Sequence, residues 1–114
     1  MENKVVYLSG PIANNPNFAG DFDRIAVEYK QGGYYVINPA YLCCVVPSDI
    51  FPYEDFMKID FLLIDHADIL VLLPGWEDSP GCNRELGYAQ AKKKTICVYT
   101  EIGGHFEEFK GRQL

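Results

Sequence analysis

The sequence predicts an α/β domain built on a parallel sheet, and three observations carry that prediction. Short β-branched or aromatic runs alternate with stretches of helical spacing. The runs end in turn residues, at Ser9-Gly10-Pro11, Asn38-Pro39 and Pro74-Gly75. The run from Ile69 to Leu73 is apolar without alternation, as in a strand buried on both faces. Such an alternation implies right-handed crossovers. The expected architecture is a single doubly wound domain over residues 1–114, flavodoxin-like or Rossmann-like, with four to five mainly parallel strands.

Each element has its own reason. Lys4 to Leu8 reads as the first strand and breaks at Ser9-Gly10-Pro11. Asn14, Asn15, Pro16 and Asn17 extend that loop. Phe18, Phe22, Ile25, Ala26 and Tyr29 recur at helical spacing, and Gly32-Gly33 stops the helix. Tyr34 to Ile37 is the second strand. Residues 40–52 read as an irregular apolar loop with Pro47 and Pro52, long enough for a lid or pocket wall. Phe56, Ile59, Leu62 and Leu63 mark a second helix, and Ile69 to Leu73 the third strand. Pro74 to Asp78 is a loop. Ser79 suits an N-cap and Pro80 the first helical turn of a third helix. Thr95 to Tyr99 is the fourth strand, and the tail from Gly103 to Leu114 is expected as a loop with a short helix.

Composition narrows the function classes. The chain has 114 residues, enough for one modest core. Its net charge is -6, and Lys92 to Lys94 is the sole basic cluster, read as a solvated helix C-terminus. Without a basic stripe, a nucleic-acid polymer is not an expected partner. Cys43, Cys44, Cys82 and Cys97 lack metal-site spacing, so free thiols in a reducing cytoplasm are expected, with no metal and no cofactor. His66 and His105 have no partner pattern and receive no role. No signal peptide and no membrane-length apolar run are seen.

Parallel sheets bind ligands beyond the C-terminal ends of their strands. Loops 9–17, 38–52 and 74–81 land at that edge. The segment Ser79-Pro80-Gly81-Cys82-Asn83-Arg84-Glu85-Leu86-Gly87-Tyr88-Ala89 is the most informative there. Cys82, Leu86, Ala89 and Lys93 form one stripe of the third helix, taken as its sheet-facing side. Glu85 sits beside that stripe and points at the strand ends. The helix N-terminus is expected to keep it ionised, as a nucleophile requires. The plain alternative is a surface glutamate. Asp60, on the second helix, can reach the same edge and divide acid and base roles with Glu85, or be a solvated helix residue. Asp65 reads as solvated, and Asp68 as pinning the third strand's entry. Tyr7 can orient a carboxylate or serve as a core tyrosine. Ser9, Gly10 and Ile12 offer backbone N–H groups to an oxyanion or sugar, or form a plain tight turn with Pro11. Trp76 can cap a planar base or cover apolar surface.

Taken in order, these pieces resemble the nucleoside 2-deoxyribosyltransferase superfamily, and within it the small phage and bacterial members of unassigned substrate. The motifs are Val5-Val6-Tyr7-Leu8-Ser9-Gly10-Pro11-Ile12, Val36-Ile37-Asn38-Pro39-Ala40, Asp60 through Asp68, Leu72-Leu73-Pro74-Gly75-Trp76-Glu77-Asp78-Ser79, and Arg84-Glu85-Leu86-Gly87-Tyr88-Ala89. The resemblance covers nearly the whole chain. It implies cleavage of an N-glycosidic bond at C1′ of a 2-deoxyribose. Glu85 matches the family's nucleophile, Tyr7 the tyrosine that positions it, and Asp60 the aspartate implicated in protonating the base. Ser79 stands where nucleoside transferases carry an aspartate. The serine and Gly81 are similar to the pattern of 2-deoxynucleoside 5-monophosphate N-hydrolases, while Asp78 keeps the nucleoside reading open. The resemblance also implies a homo-oligomer whose neighbours help complete the site. The expected function is thus an N-glycosidase or deoxyribosyltransferase acting on 2-deoxynucleosides or their monophosphates. Its rivals are a non-catalytic nucleotide-binding module of the same fold and a glycohydrolase of another nucleotide.

Overall fold

The computed structural model describes residues 4–100 and 106–108, with the backbone alone at Cys43, Cys44 and 106–108. Five strands form one sheet in the order β2-β1-β3-β4-β5. They are β1 (Val5–Ser9), β2 (Tyr35–Ile37), β3 (Ile69–Leu72), β4 (Thr95–Tyr99) and β5 (Phe106–Glu108). The first four are mutually parallel, with Tyr7 opposite Leu70 and Ser9 opposite Leu72. β5 runs antiparallel to β4, pairing Phe106 with Tyr99. The expected doubly wound α/β class is the class observed. A strand replaces the short helix expected in the tail over 106–108; the rest of that tail lies outside the described residues.

The helices are α1 (Phe18–Gln31), the single turn α2 (Leu42–Val45), α3 (Tyr53–Asp65) and α4 (Pro80–Ala91). α1 covers one face of the sheet. Its Phe22, Ile25, Ala26 and Tyr29 pack with Val6 and Leu8 of β1 and Val71 of β3. α3 and α4 cover the other face, where Ile64, Leu86 and Ala89 meet Tyr7, Leu70 and Leu72. Because successive strand residues point to opposite faces, β1 sends Val6 and Leu8 to α1 and Tyr7 to the α3–α4 layer. Ser9 follows Tyr7 by two and shares its face.

Three local readings are corrected by the packing. The segment 40–52 is not wholly irregular. A 3-10 turn at Pro39–Tyr41 runs into α2, and the Asn38 side chain opens it by accepting from the Ala40 N–H at 3.1 Å. The buried residues of α3 are Met57 and Ile64, whereas Leu62 is 59% exposed. The inward stripe is therefore rotated from the one expected, and Asp60 falls on it. Lys93 is not part of the α4 stripe. The helix ends at Ala91, and Lys93 takes a left-handed φ of 60° in the closing turn. Asp68 does pin the entry to β3: its carboxylate accepts from the Val5 N–H at 2.9 Å.

The sheet order reverses at β1 and β3, which opens a crevice at their C-terminal ends. Gly10 sits at that point because nothing larger fits. A Cβ there would lie 2.9 Å from the Leu73 Cβ and 3.1 Å from the Phe22 ring. Among the described residues no helix is long and apolar enough to cross a membrane. Gly10→Ala is expected to destabilise the fold by about 1–3 kcal/mol, the typical cost of overpacking. Urea unfolding checks this, and an unchanged midpoint would show that Leu73 and Phe22 yield freely.

Candidate active site

The site is assembled from three elements. Ser79 caps α4, its hydroxyl accepting from the Cys82 N–H at 3.2 Å, and Pro80 occupies the first turn. The Asn83 amide donates to the Trp76, Glu77 and Ser79 carbonyls, tying the preceding loop to the helix start. This fixes the rotation of α4, so that Glu85 faces β1. There the Tyr7 hydroxyl donates to Glu85 Oε2 at 2.8 Å, and the Ser9 hydroxyl donates to Oε1 at 2.7 Å. All three residues are buried. Asp60 arrives from α3, within hydrogen-bonding reach of both Glu85 and Tyr7.

These surroundings reverse the expected electrostatics of Glu85. Burial pushes its carboxyl well above the usual range, the neighbouring Asp60 carboxyl pushes it further, and the Ser9 and Tyr7 hydroxyls pull it partly back. The dipole argument fails because Glu85 lies six residues beyond the Ser79 cap, and the helix-end effect fades within the first turn. Burial also raises Asp60, against the opposing pull of hydrogen bonds with Glu85 and Tyr7. Burial, then the Glu85 and Asp60 charges, raise Tyr7, so its phenol stays protonated and donating. Two carboxyls so placed titrate as a pair.

The pair lies in the wall of a cavity of about 690 Å³. That volume lies within the range of roughly 300–1,000 Å³ that suits small-molecule sites. Of the residues expected at the site, Glu85, Asp60, Gly10, Ile12, Ser79 and Gly81 line the cavity. Tyr7 and Ser9 touch Glu85 from beneath. Pro11 instead borders a separate cavity of about 80 Å³. Trp76 is buried in the α3–α4 core, and Asp78 is exposed; neither lines the larger cavity. The segment 40–52, read as a lid or pocket wall, lends Leu42 and Phe51 to the apolar wall, whereas Pro39, Tyr53, Phe56 and Met57 were not singled out as part of it. The available signal was the aromatic, proline-bounded stretch from 39 to 57. Among the described residues no cluster of three or more His, Cys, Asp or Glu is placed to hold a metal ion.

Residues 4–98 match a known family, described as a domain of unknown function, DUF4406. The chain belongs to that family. No curated protein matches the sequence. Among solved structures, this DUF4406 protein is similar to the CMP N-glycosidase of Clostridium botulinum. The identity is 22% and the TM-score 0.59, over 84% of this chain and 68% of that one. It is also similar to a 2-deoxyribosyltransferase from Leishmania mexicana. There the identity is 18% and the TM-score 0.64, over 93% of this chain and 79% of that one. At these identities the likeness is one of fold.

A carboxyl whose folded pKa is raised binds its proton more tightly in the folded state. Its contribution to stability is present below the ordinary carboxylate range and is lost as pH rises through the folded value. Glu85→Gln, which cannot ionise, is therefore expected to raise the melting temperature, and to raise it more at pH 8 than at pH 5. Thermal scans at both pH values check this. Equal gains would show an unperturbed carboxyl.

Proposed function

We propose that this DUF4406 protein cleaves the N-glycosidic bond of 2-deoxynucleosides or their monophosphates, with Glu85 as nucleophile. One observation carries the reading: a buried glutamate gripped by two hydroxyls, with a second carboxyl beside it, in the wall of a nucleoside-sized cavity. The apolar and aromatic wall suits a planar base, and the fold shared with an N-glycosidase and a deoxyribosyltransferase supports the same class.

The chemistry follows from the pair holding one proton. With that proton on Asp60, the Glu85 carboxylate held by the Tyr7 and Ser9 hydroxyls attacks C1′ and forms a glycosyl ester. The C1′–N bond breaks, and its electron pair leaves with the base. Asp60 supplies the proton that the departing base takes up. The charge that builds up on the sugar ring in this step resembles an oxocarbenium ion. Tyr7 and Ser9 hold the two carboxylate oxygens, so the nucleophile is oriented before the substrate arrives. Water then adds to C1′, returns a proton to Asp60 and frees Glu85, releasing the sugar. A second base in place of water gives base exchange.

Glu85→Ala is expected to lower base release by at least about a thousandfold while the fold is kept. Chromatography of 2-deoxynucleosides and their monophosphates, incubated with and without a free acceptor base, reads this out. A fully active variant excludes Glu85 as nucleophile. No release by the wild-type protein from any substrate turns the reading toward a binding module.

Asp60→Asn is expected to lower kcat by about 10²- to 10⁴-fold, the usual worth of a positioned general acid. Since Asp60 raises the Glu85 carboxyl, removing its charge lowers it. The acidic limb of the kcat/KM profile is then expected to move to lower pH. A limb that stays in place would show that the two carboxyls are uncoupled.

A further inference from the structure

Arg84 adjoins Glu85 in sequence but reaches the other way. Its guanidinium makes a two-pronged ion pair with Glu54 in the first turn of α3, at 2.8 and 3.0 Å. It also lies over the Tyr53 ring, 5.5 Å from the centroid, and within hydrogen-bonding reach of that residue. The Phe61 ring centroid lies 5.9 Å from the same guanidinium. Tyr53 is 52% exposed, so burial alone does not hold it. Yet it lines the cavity, and its hydroxyl lies only 3.4 Å from where a Cβ on Gly81 would be. The Ser79 hydroxyl lies 3.9 Å from the same point. Two hydroxyls thus flank Gly81 at the start of α4, on the N-terminal side of Glu85.

We propose that Tyr53 is a specificity-determining residue whose hydroxyl binds a hydroxyl of the substrate's pentose, and that Arg84 positions it. The inference rests on the function proposed above. Glu85 meets C1′, so the groups at the start of α4 face the distal edge of the same ring, where the other sugar hydroxyls lie. A phenol donates to and accepts from such a hydroxyl. The Glu54–Arg84 pair holds the ring at that edge through a planar, two-pronged contact that lysine cannot reproduce. Gly81 leaves the space that the phenol occupies.

The test compares wild type, Tyr53→Phe, Arg84→Met and the double variant on three substrates. These are a 2-deoxynucleoside and its 2,3-dideoxy and 2,5-dideoxy analogues. Tyr53→Phe is expected to lower kcat/KM on the parent nucleoside by about three- to tenfold through KM, the worth of one neutral hydrogen bond. On the analogue lacking the partner hydroxyl the loss is expected to vanish. Arg84→Met is expected to reproduce the loss, and to add little in the Tyr53→Phe background. Equal losses on all three substrates, or none on the parent, overturn the role of Tyr53. An undiminished Arg84→Met effect in that background overturns positioning. Both side chains are partly exposed, and matching melting curves confirm that the variants fold. Absence of base release by the wild type from 2-deoxynucleosides and their monophosphates alike is a separate result: it sinks the parent reading and this one with it.

Discussion

The whole arrangement depends on the placement of one buried carboxyl, Glu85. A charge-bearing group is costly to bury without partners. Here the partners come from a different element, as Tyr7 and Ser9 of β1 hold one carboxyl oxygen each at 2.8 and 2.7 Å. This cross-link between β1 and α4 joins residues 76 and 78 positions apart in the chain. Every nearby feature follows from it. The Ser79 cap and the Asn83 amide set the helix rotation that aims Glu85 inward, and Gly10 lets the strand end approach Leu73 closely.

The same contact sets the chemistry. Two hydroxyl donors favour the ionised carboxyl, while burial and Asp60 oppose it. The balance leaves a pair of carboxyls able to hold one proton between them.

Around this rigid floor the cavity wall is built differently. The floor comes from strand and helix residues fully buried in the core. The wall comes from the segment that follows β2 and from the start of α3, whose half-exposed Tyr53 lies against the Arg84 guanidinium. Neighbouring residues of α4 serve the two parts: Glu85 turns toward the sheet and Arg84 toward the first turn of α3. Chemistry and wall are therefore coupled through a single helical turn.

Much of this was legible in the chain. Strand runs, turn residues and the Ser79-Pro80 helix start announce the α/β order, because local propensity and hydrophobic period act over a few residues. Ser9, read as a turn residue offering its backbone N–H, instead ends β1 on the same face as Tyr7 and turns its hydroxyl to Glu85. The inward stripes of α1 and, Lys93 aside, of α4 were read correctly, but other pairings of faces escaped. Leu62 looks inward by period but is exposed, and Asp60 turns in beside Met57 and Ile64. Trp76 sits in the core rather than at the cavity wall. The upward push on the Glu85 carboxyl was not foreseen, because a helix dipole is local, whereas desolvation and a second carboxyl are imposed by other parts of the chain. The sequence alone determined the order of elements and the polar groups that stand on β1, α3 and α4. Only the tertiary structure decided their burial, the wall they face and the pairing of Arg84 with Glu54, because burial and long-range contact exist only once the layers pack.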